Sequence, residues 1–202
     1  NGRSASSMAP DAPISRQEAM TVVARALELD YDSYSKTDLS VFSDRSEISN
    51  WALPYVRAMV GADYIHGRGK VLAPLDNITR AEFVAMLVRF IGVQNEDCSF
   101  TDVSRDYWAY GCITTATKAG WIAGYTDGTF KPELPITRAE AMTIINRVLN
   151  RGVNEKSELM NFRVWPDNEP SAWYYYEVIE ASNEHEYTGS RPSENWTSLR
   201  IH

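Results

Sequence analysis

Residues 78–91 read ITRAEFVAMLVRFI, and two other stretches repeat them: ISRQEAMTVVARAL from Ile14 and ITRAEAMTIINRVL from Ile136. Each copy has an Arg at its third position (Arg16, Arg80, Arg138) and a Glu two residues later (Glu18, Glu82, Glu140). A second Arg follows nine residues after the first (Arg25, Arg89, Arg147). A Ser or Thr with Glu three positions on is a capping box, in which two orphan amides of a helix start are satisfied reciprocally. The boxes are Ser15 with Glu18, Thr79 with Glu82 and Thr137 with Glu140. Behind the second box, Phe83, Met86, Leu87, Phe90 and Ile91 recur at helical spacing, which predicts one apolar face.

A second helix type lies between these copies. Its segments begin at Val41, Ser99 and Arg163, and each carries an aromatic residue two before an Asp: Phe42 and Asp44, Phe100 and Asp102, Trp165 and Asp167. A Trp then opens each apolar-periodic stretch, at Trp51, Trp108 and Trp173. Glycine-containing connections link the helices, the clearest being GWIAGYTDGTFKPELP from Gly120, where Asp127 and Gly128 signal a turn. From Trp51 to Ile78 is 27 residues and from Trp108 to Ile136 is 28; a further 28 from Trp173 lands on Ile201. The expected architecture is therefore mainly α, a pseudo-threefold bundle closed by pairing of N- and C-terminal half-repeats. An open solenoid would instead carry polar capping repeats at both ends.

The bulk properties narrow the function classes. A net charge of −7, with Lys and Arg scattered, offers no footprint for nucleic acid. No apolar run approaches the ~20 residues of a bilayer span, so membrane insertion is not expected. The opening residues NGRSASSMAPDAP are small and polar and read as a flexible linker. His66, His185 and His202 are far apart in sequence and lack metal-ligand spacing, so neither metal nor cofactor is expected. Cys98 and Cys112 do not form a CxxC pair, and the sequence leaves open whether they are joined.

At these residues the chain resembles the S-layer homology family. The family signature runs Phe-x-Asp-Val, Trp-Ala, GY-x-DGTF-x-P and ITRAE. Residues 100–149 match it nearly position by position, residues 42–91 less well, residues 14–27 in the ITRAE half and residues 165–202 in the Trp half. On this basis the chain divides into a linker over 1–13 and a repeat triplet over 14–202. The triplet comprises a half-repeat at 14–30, repeats at 40–93 and 98–151, and a half-repeat at 162–202. The resemblance implies a three-lobed helical module, monomeric within a larger secreted protein. It implies a bacterial cell-surface location and non-covalent attachment to an acidic, often pyruvylated, secondary cell-wall polysaccharide. It also implies that the ITRAE arginine lies in inter-repeat grooves and helps bind that polymer.

Elementary electrostatics points the same way. A helix start suits an anion, whereas an Arg there opposes the helix dipole. Three such placements suggest guanidinium forks for carboxylates, at Arg16, Arg80 and Arg138. The competing reading pairs each Arg with a nearby acid. Trp51, Trp108 and Trp173 are candidates for stacking on sugars, against the plainer reading that they anchor the core at helix starts. Gly124, Tyr125 and Asp127 are candidates to meet a ligand, against ordinary turn chemistry. The second loop, GADYIHGRGKVLAPLDN from Gly61, lacks the GY-x-DGTF pattern and carries Arg68 and Lys70, so its groove should be more basic. The last loop, SNEHEYTGSRPSENW from Ser182, is acidic and divergent, and its groove is expected to keep only a packing role. A module that retains the fold but binds a protein partner is the alternative. A glycan hydrolase would need two carboxylates across a cleft, and the recurrent acids here read as caps and turn residues, so no enzyme is expected.

Overall fold

A computed structural model describes residues 2–4, 6–93, 100–153 and 162–199. It is mainly helical: α1 (Arg16–Ala26), a 3-10 turn (Arg45–Glu47), α2 (Leu53–Gly61), α3 (Arg80–Ile91), α4 (Tyr110–Lys118), α5 (Arg138–Val148) and α6 (Tyr175–Ser182). A two-stranded antiparallel hairpin follows, β1 (His185–Thr188) with β2 (Asn195–Leu199). All three capping boxes form where the sequence places them, with the Ser or Thr oxygen accepting from the Glu amide and the Glu carboxylate accepting from the cap amide. No described helix is long and apolar enough to cross a membrane.

The chain forms two compact units, one of residues 13–136 and one of residues 1–12 with 137–202. In the first, α1 packs on α2 and α3 on α4. The segments leading into α1 and α3 and the residue Ile136 are tied by a closed ring of backbone hydrogen bonds. Ile14 N donates to Ile136 O (3.2 Å), Ile136 N to Ile78 O (3.0 Å) and Ile78 N to Ile14 O (3.1 Å). All three isoleucines are buried, so the ring is the threefold element that the repeat predicted. Helix α3 is buried over most of its circumference rather than along one stripe; Phe90 and Ile91 emerge into solvent, and Phe90 meets the Tyr64 ring edge-on at 5.7 Å.

In the second unit α5 packs on α6. The strongest helix pairings are thus between neighbours in sequence. What joins the C-terminal unit is the opening segment, expected to be a linker. Met8 is fully buried in a cluster with Ala139, Trp165, Tyr174 and Val178. The reason is a third repeat hidden in that segment. MAPDAPI from Met8 matches LAPLDNI from Leu72 and FKPELPI from Phe130. Met8, Leu72 and Phe130 are all buried, and Ala9, Ala73 and Lys131 all take positive φ, at 52°, 53° and 56°.

Each copy of that turn is stapled by an Asp from the Trp-type segment. Asp44 accepts from the amides of Leu72 (2.9 Å) and Ala73 (2.6 Å). Asp102 accepts from Phe130 (2.8 Å) and Lys131 (2.7 Å), and Asp167 from Met8 (3.0 Å) and Ala9 (2.8 Å). Burial works to raise the Asp44 and Asp167 carboxyls, but the amides they accept from bring both below the usual carboxylate range.

Candidate functional site

The three motif arginines share one backbone role. Arg16 Nε donates to Leu72 O (2.8 Å), Arg80 Nε to Phe130 O (2.9 Å) and Arg138 Nε to Met8 O (2.7 Å). Each guanidinium therefore holds a loop against a helix start. Those starts are not open to an anion, which corrects the expectation from the helix dipole. The first amide of α1 donates to Asp76 O, that of α3 to Leu134 O and that of α5 to Ala12 O. The second amides donate to Pro74 O, Pro132 O and Pro10 O, and the third to the cap oxygens. Prolines cannot continue a ladder, but their carbonyls are well placed to accept.

Arg16 is buried, pairs with Glu82 at 2.9 Å and also donates to His66 O at 3.3 Å. The acid-pairing alternative is what occurs at this copy. Burial depresses the Arg16 guanidinium and Glu82 counters it. Burial likewise favours neutral Glu82, but Arg16, the Thr79 amide and Arg68 outweigh it and keep the carboxyl below its ordinary range. Arg80 is buried with its guanidinium 4.7 Å from both the Tyr125 and Phe130 ring centres.

One cavity in this unit draws several of these residues together. It measures about 400 Å³ and runs along one side of α3, from Thr79 and Glu82 to Ala85 and Arg89. Arg16, His66 and Arg68 flank it on one side, and Trp108 and Glu133 contribute as well. Arg68 is committed to Glu82 (2.9 Å) and Asp76 (3.1 Å). Glu133 accepts from the Tyr107 hydroxyl at 2.5 Å; burial and this carboxylate push the phenol far up. Arg89 donates to Tyr64 O (3.2 Å), and no carboxylate pairs with it among the described residues. The expected basic character of this groove thus rests on Arg89 rather than on Lys70.

The remaining candidates fall elsewhere. Trp51, Trp108 and Trp173 are 53%, 57% and 66% exposed, so they do not anchor the core; the buried anchors beside the first two are Ala52 and Ala109, both 0% exposed. Small alanines pack at the helix entry and leave the preceding indoles outside. Trp108 alone of the three lines the groove. Trp173 and Arg138 belong to the other unit. Gly124, at φ 71°, lies where an added Cβ would strike the Phe100 ring and Thr129 O, so its need is packing. Tyr125 stacks on Arg80 and, at 4.2 Å, on the Lys131 ammonium. Asp127 accepts from the Thr129 amide (3.0 Å) and pairs with Lys131 (3.3 Å), as turn chemistry requires. Cys112 is half-buried, which raises its thiol; any bond to Cys98 lies outside the described residues. Sequence reasoning noted Arg89 but gave it no role, although an Arg nine residues after the first in every copy was the available signal.

Comparison with known proteins bears on the same stretches. The family model for the S-layer homology domain matches residues 41–84 and 99–142. The chain is 30% identical over 208 residues to the Cell surface glycoprotein 1 of Acetivibrio thermocellus, covering 96% of this chain and 9% of that protein. It is 32% identical over 187 residues to the Cellulosome-anchoring protein of the same organism, covering 88% of this chain and 40% of that one. It is 28% identical over 142 residues to the Surface-layer 125 kDa protein of Lysinibacillus sphaericus, covering 69% of this chain and 12% of the relative. The chain therefore spans less than half the length of each of these relatives.

Proposed function

The chain belongs to the S-layer homology family, and from that premise we propose that it anchors a larger protein to the bacterial cell wall by holding an acidic secondary wall polysaccharide in the groove beside α3. Cell-surface association accords with the family and with relatives whose names describe surface-layer and cell-surface proteins. The observation that carries the finer reading is the company of Trp108 and Arg89. The groove sets a largely exposed indole and a guanidinium with no acid partner among the described residues around about 400 Å³, within the usual range for a small-ligand site. An indole face offers an apolar platform to a sugar ring. A guanidinium takes a carboxylate, such as that of a pyruvyl ketal, or a phosphate by a charge-assisted fork. Arg16 holds the groove wall through Leu72 O and Glu82, and Glu82 is kept ionised as a cap and counter-ion rather than as an acid catalyst. The module itself is read as non-catalytic.

Co-sedimentation with purified walls tests this. Wild-type protein should pellet with native walls and stay in solution with walls stripped of secondary polymer. Arg89→Gln, with its helical spectrum unchanged, should lose most of the binding. Failure of the folded wild type to pellet with native walls from its source would overturn the reading and turn the search to a protein partner.

A further inference from the structure

The C-terminal hairpin holds a cluster that wall anchoring does not use. Glu180 on α6, His185 at the start of β1 and Glu194 just before β2 bring one ligand-type atom each to within 4.8 Å of one another. His185 Nε2 lies 2.9 Å from Glu194 Oε2 and 3.6 Å from Glu180 Oε1. Glu180 and Glu194 are 2% and 1% exposed. We propose that these three side chains bind a divalent first-row metal ion such as zinc, which pins the hairpin to α6.

Two independent observations support this beyond the acids themselves. First, neither carboxylate oxygen of Glu180 has a hydrogen-bond partner, although the side chain is almost wholly buried. An unpaired buried carboxylate is costly unless it coordinates something. The Arg151 Nε stands 3.7 Å away and is spent on Asn146 Oδ1 at 3.0 Å. The Trp196 indole N–H acts on the Glu180 carboxylate, but without hydrogen-bond geometry on either side. Second, the imidazole is oriented as metal ligands are. Its Nδ1 lies 3.0 Å from Asn183 O and its ring stacks on Trp196 at 4.0 Å. With Nδ1–H donating to that carbonyl, the lone pair of Nε2 points at the two carboxylates.

The donor set is one imidazole nitrogen and two carboxylate oxygens, which suits zinc and leaves a fourth position for water. Ligand atoms around tetrahedral zinc sit about 3.3 Å apart, close to the separations from Nε2. Burial pushes the Glu180 carboxyl up and Glu194 pushes it further, while His185, Arg151 and the Trp196 N–H oppose them. A dication would neutralise the two carboxylates together. Arg191 pairs with Glu194 Oε1 at 3.0 Å and is 45% exposed, so it can yield to solvent as the ion enters.

The test uses the full chain freed of metal by chelation, then titrated with zinc by calorimetry and with cobalt(II) by visible absorbance. The expected result is one equivalent bound and a thermal midpoint that rises with zinc concentration. His185→Gln and Glu194→Gln should each abolish stoichiometric uptake. His66→Gln, which removes the exposed partner of Asp63, should leave it intact. If His185→Gln does not fold, the wild-type cobalt spectrum decides, since tetrahedral nitrogen–oxygen coordination gives intense visible bands. The proposal is overturned if folded wild type takes up no stoichiometric zinc, or if folded His185→Gln takes up as much as wild type.

Discussion

Arg16 and Arg80 open two helices with the same motif and bond the same kind of loop carbonyl, but the loop residue packed beside each differs. Arg16 faces Glu82, which also binds Arg68, and Arg68 in turn binds Asp76. Arg80 lies against the rings of Tyr125 and Phe130. The difference traces to one position, the residue after the loop glycine: Arg68 follows Gly67, and Tyr125 follows Gly124. Both make the same backbone bond, Arg68 N to Val71 O and Tyr125 N to Thr129 O. The backbone duty of the motif arginine is therefore constant, while the loop residue beside it changes from a cation to an aromatic ring.

Truncating the two arginines tests that division most severely. Arg16→Ala strips a buried partner from Glu82 and should cost about 3–5 kcal/mol. Arg80→Ala loses at least a charged bond to the Phe130 carbonyl and two ring contacts, and should cost about 2 kcal/mol or more. A loss at Arg16→Ala below about 1.5 kcal/mol in denaturant melts would break this reading, because the carbonyl bond alone would then account for it.

The aspartate staples come next. Asp44→Asn keeps the shape but replaces one accepting oxygen with a donor that faces a backbone amide. The loss should be about 1.5–3 kcal/mol, the range for hydrogen bonds to charged groups. The folded Asp44 carboxyl titrates below its ordinary value of about 3.9. Its contribution is present above that pH and is lost as pH falls through the lower folded value. Wild-type protein should accordingly lose stability below about pH 4, and Asp44→Asn should flatten part of that acid limb. An unchanged limb would show that the amides of Leu72 and Ala73 do not set it.

A smaller difference is expected between the loop glycines. At either Gly67 or Gly124 a Cβ would meet a Phe ring and a carbonyl oxygen. Only Gly124 also has a positive φ, 71°. Gly124→Ala should therefore cost about 1–2 kcal/mol more than Gly67→Ala, the penalty of the left-handed conformation for an L-residue. Thermal melts of the two single variants measure it.

The helix starts could be read because a capping box is local: Ser15, Thr79 and Thr137 each name their partner three residues on. The helix pairing could not, because α1 and α2 are joined by a segment whose own pattern does not say which face closes on which. The opening segment was misread for a related reason. MAPDAPI does its work with a buried Met8, a positive φ at Ala9 and proline carbonyls. Small polar neighbours disguise those backbone duties as a linker, and only alignment with LAPLDNI and FKPELPI reveals them. In the candidate groove the acids and arginines were visible in sequence, but which Arg has no carboxylate partner among the described residues was not, since that depends on where Glu82 and Asp76 are spent.

The two indoles of the 13–136 unit offer the mildest change in stability and the sharpest statement about binding. Trp51 and Trp108 precede equivalent helices, are 53% and 57% exposed, and are followed by fully buried alanines. Removing either should alter stability by no more than about 0.5 kcal/mol, as for surface substitutions in general. Only Trp108 lines the groove that holds Arg89. If the groove takes the glycan, Trp108→Ala should weaken wall binding on the order of tenfold, about 1.4 kcal/mol, while Trp51→Ala leaves it unchanged. Equal weakening by both would mean that the indoles act as repeated surface contacts rather than through one groove. Weakening by Trp51→Ala alone would move the site away from α3 altogether, because Trp51 does not line that groove.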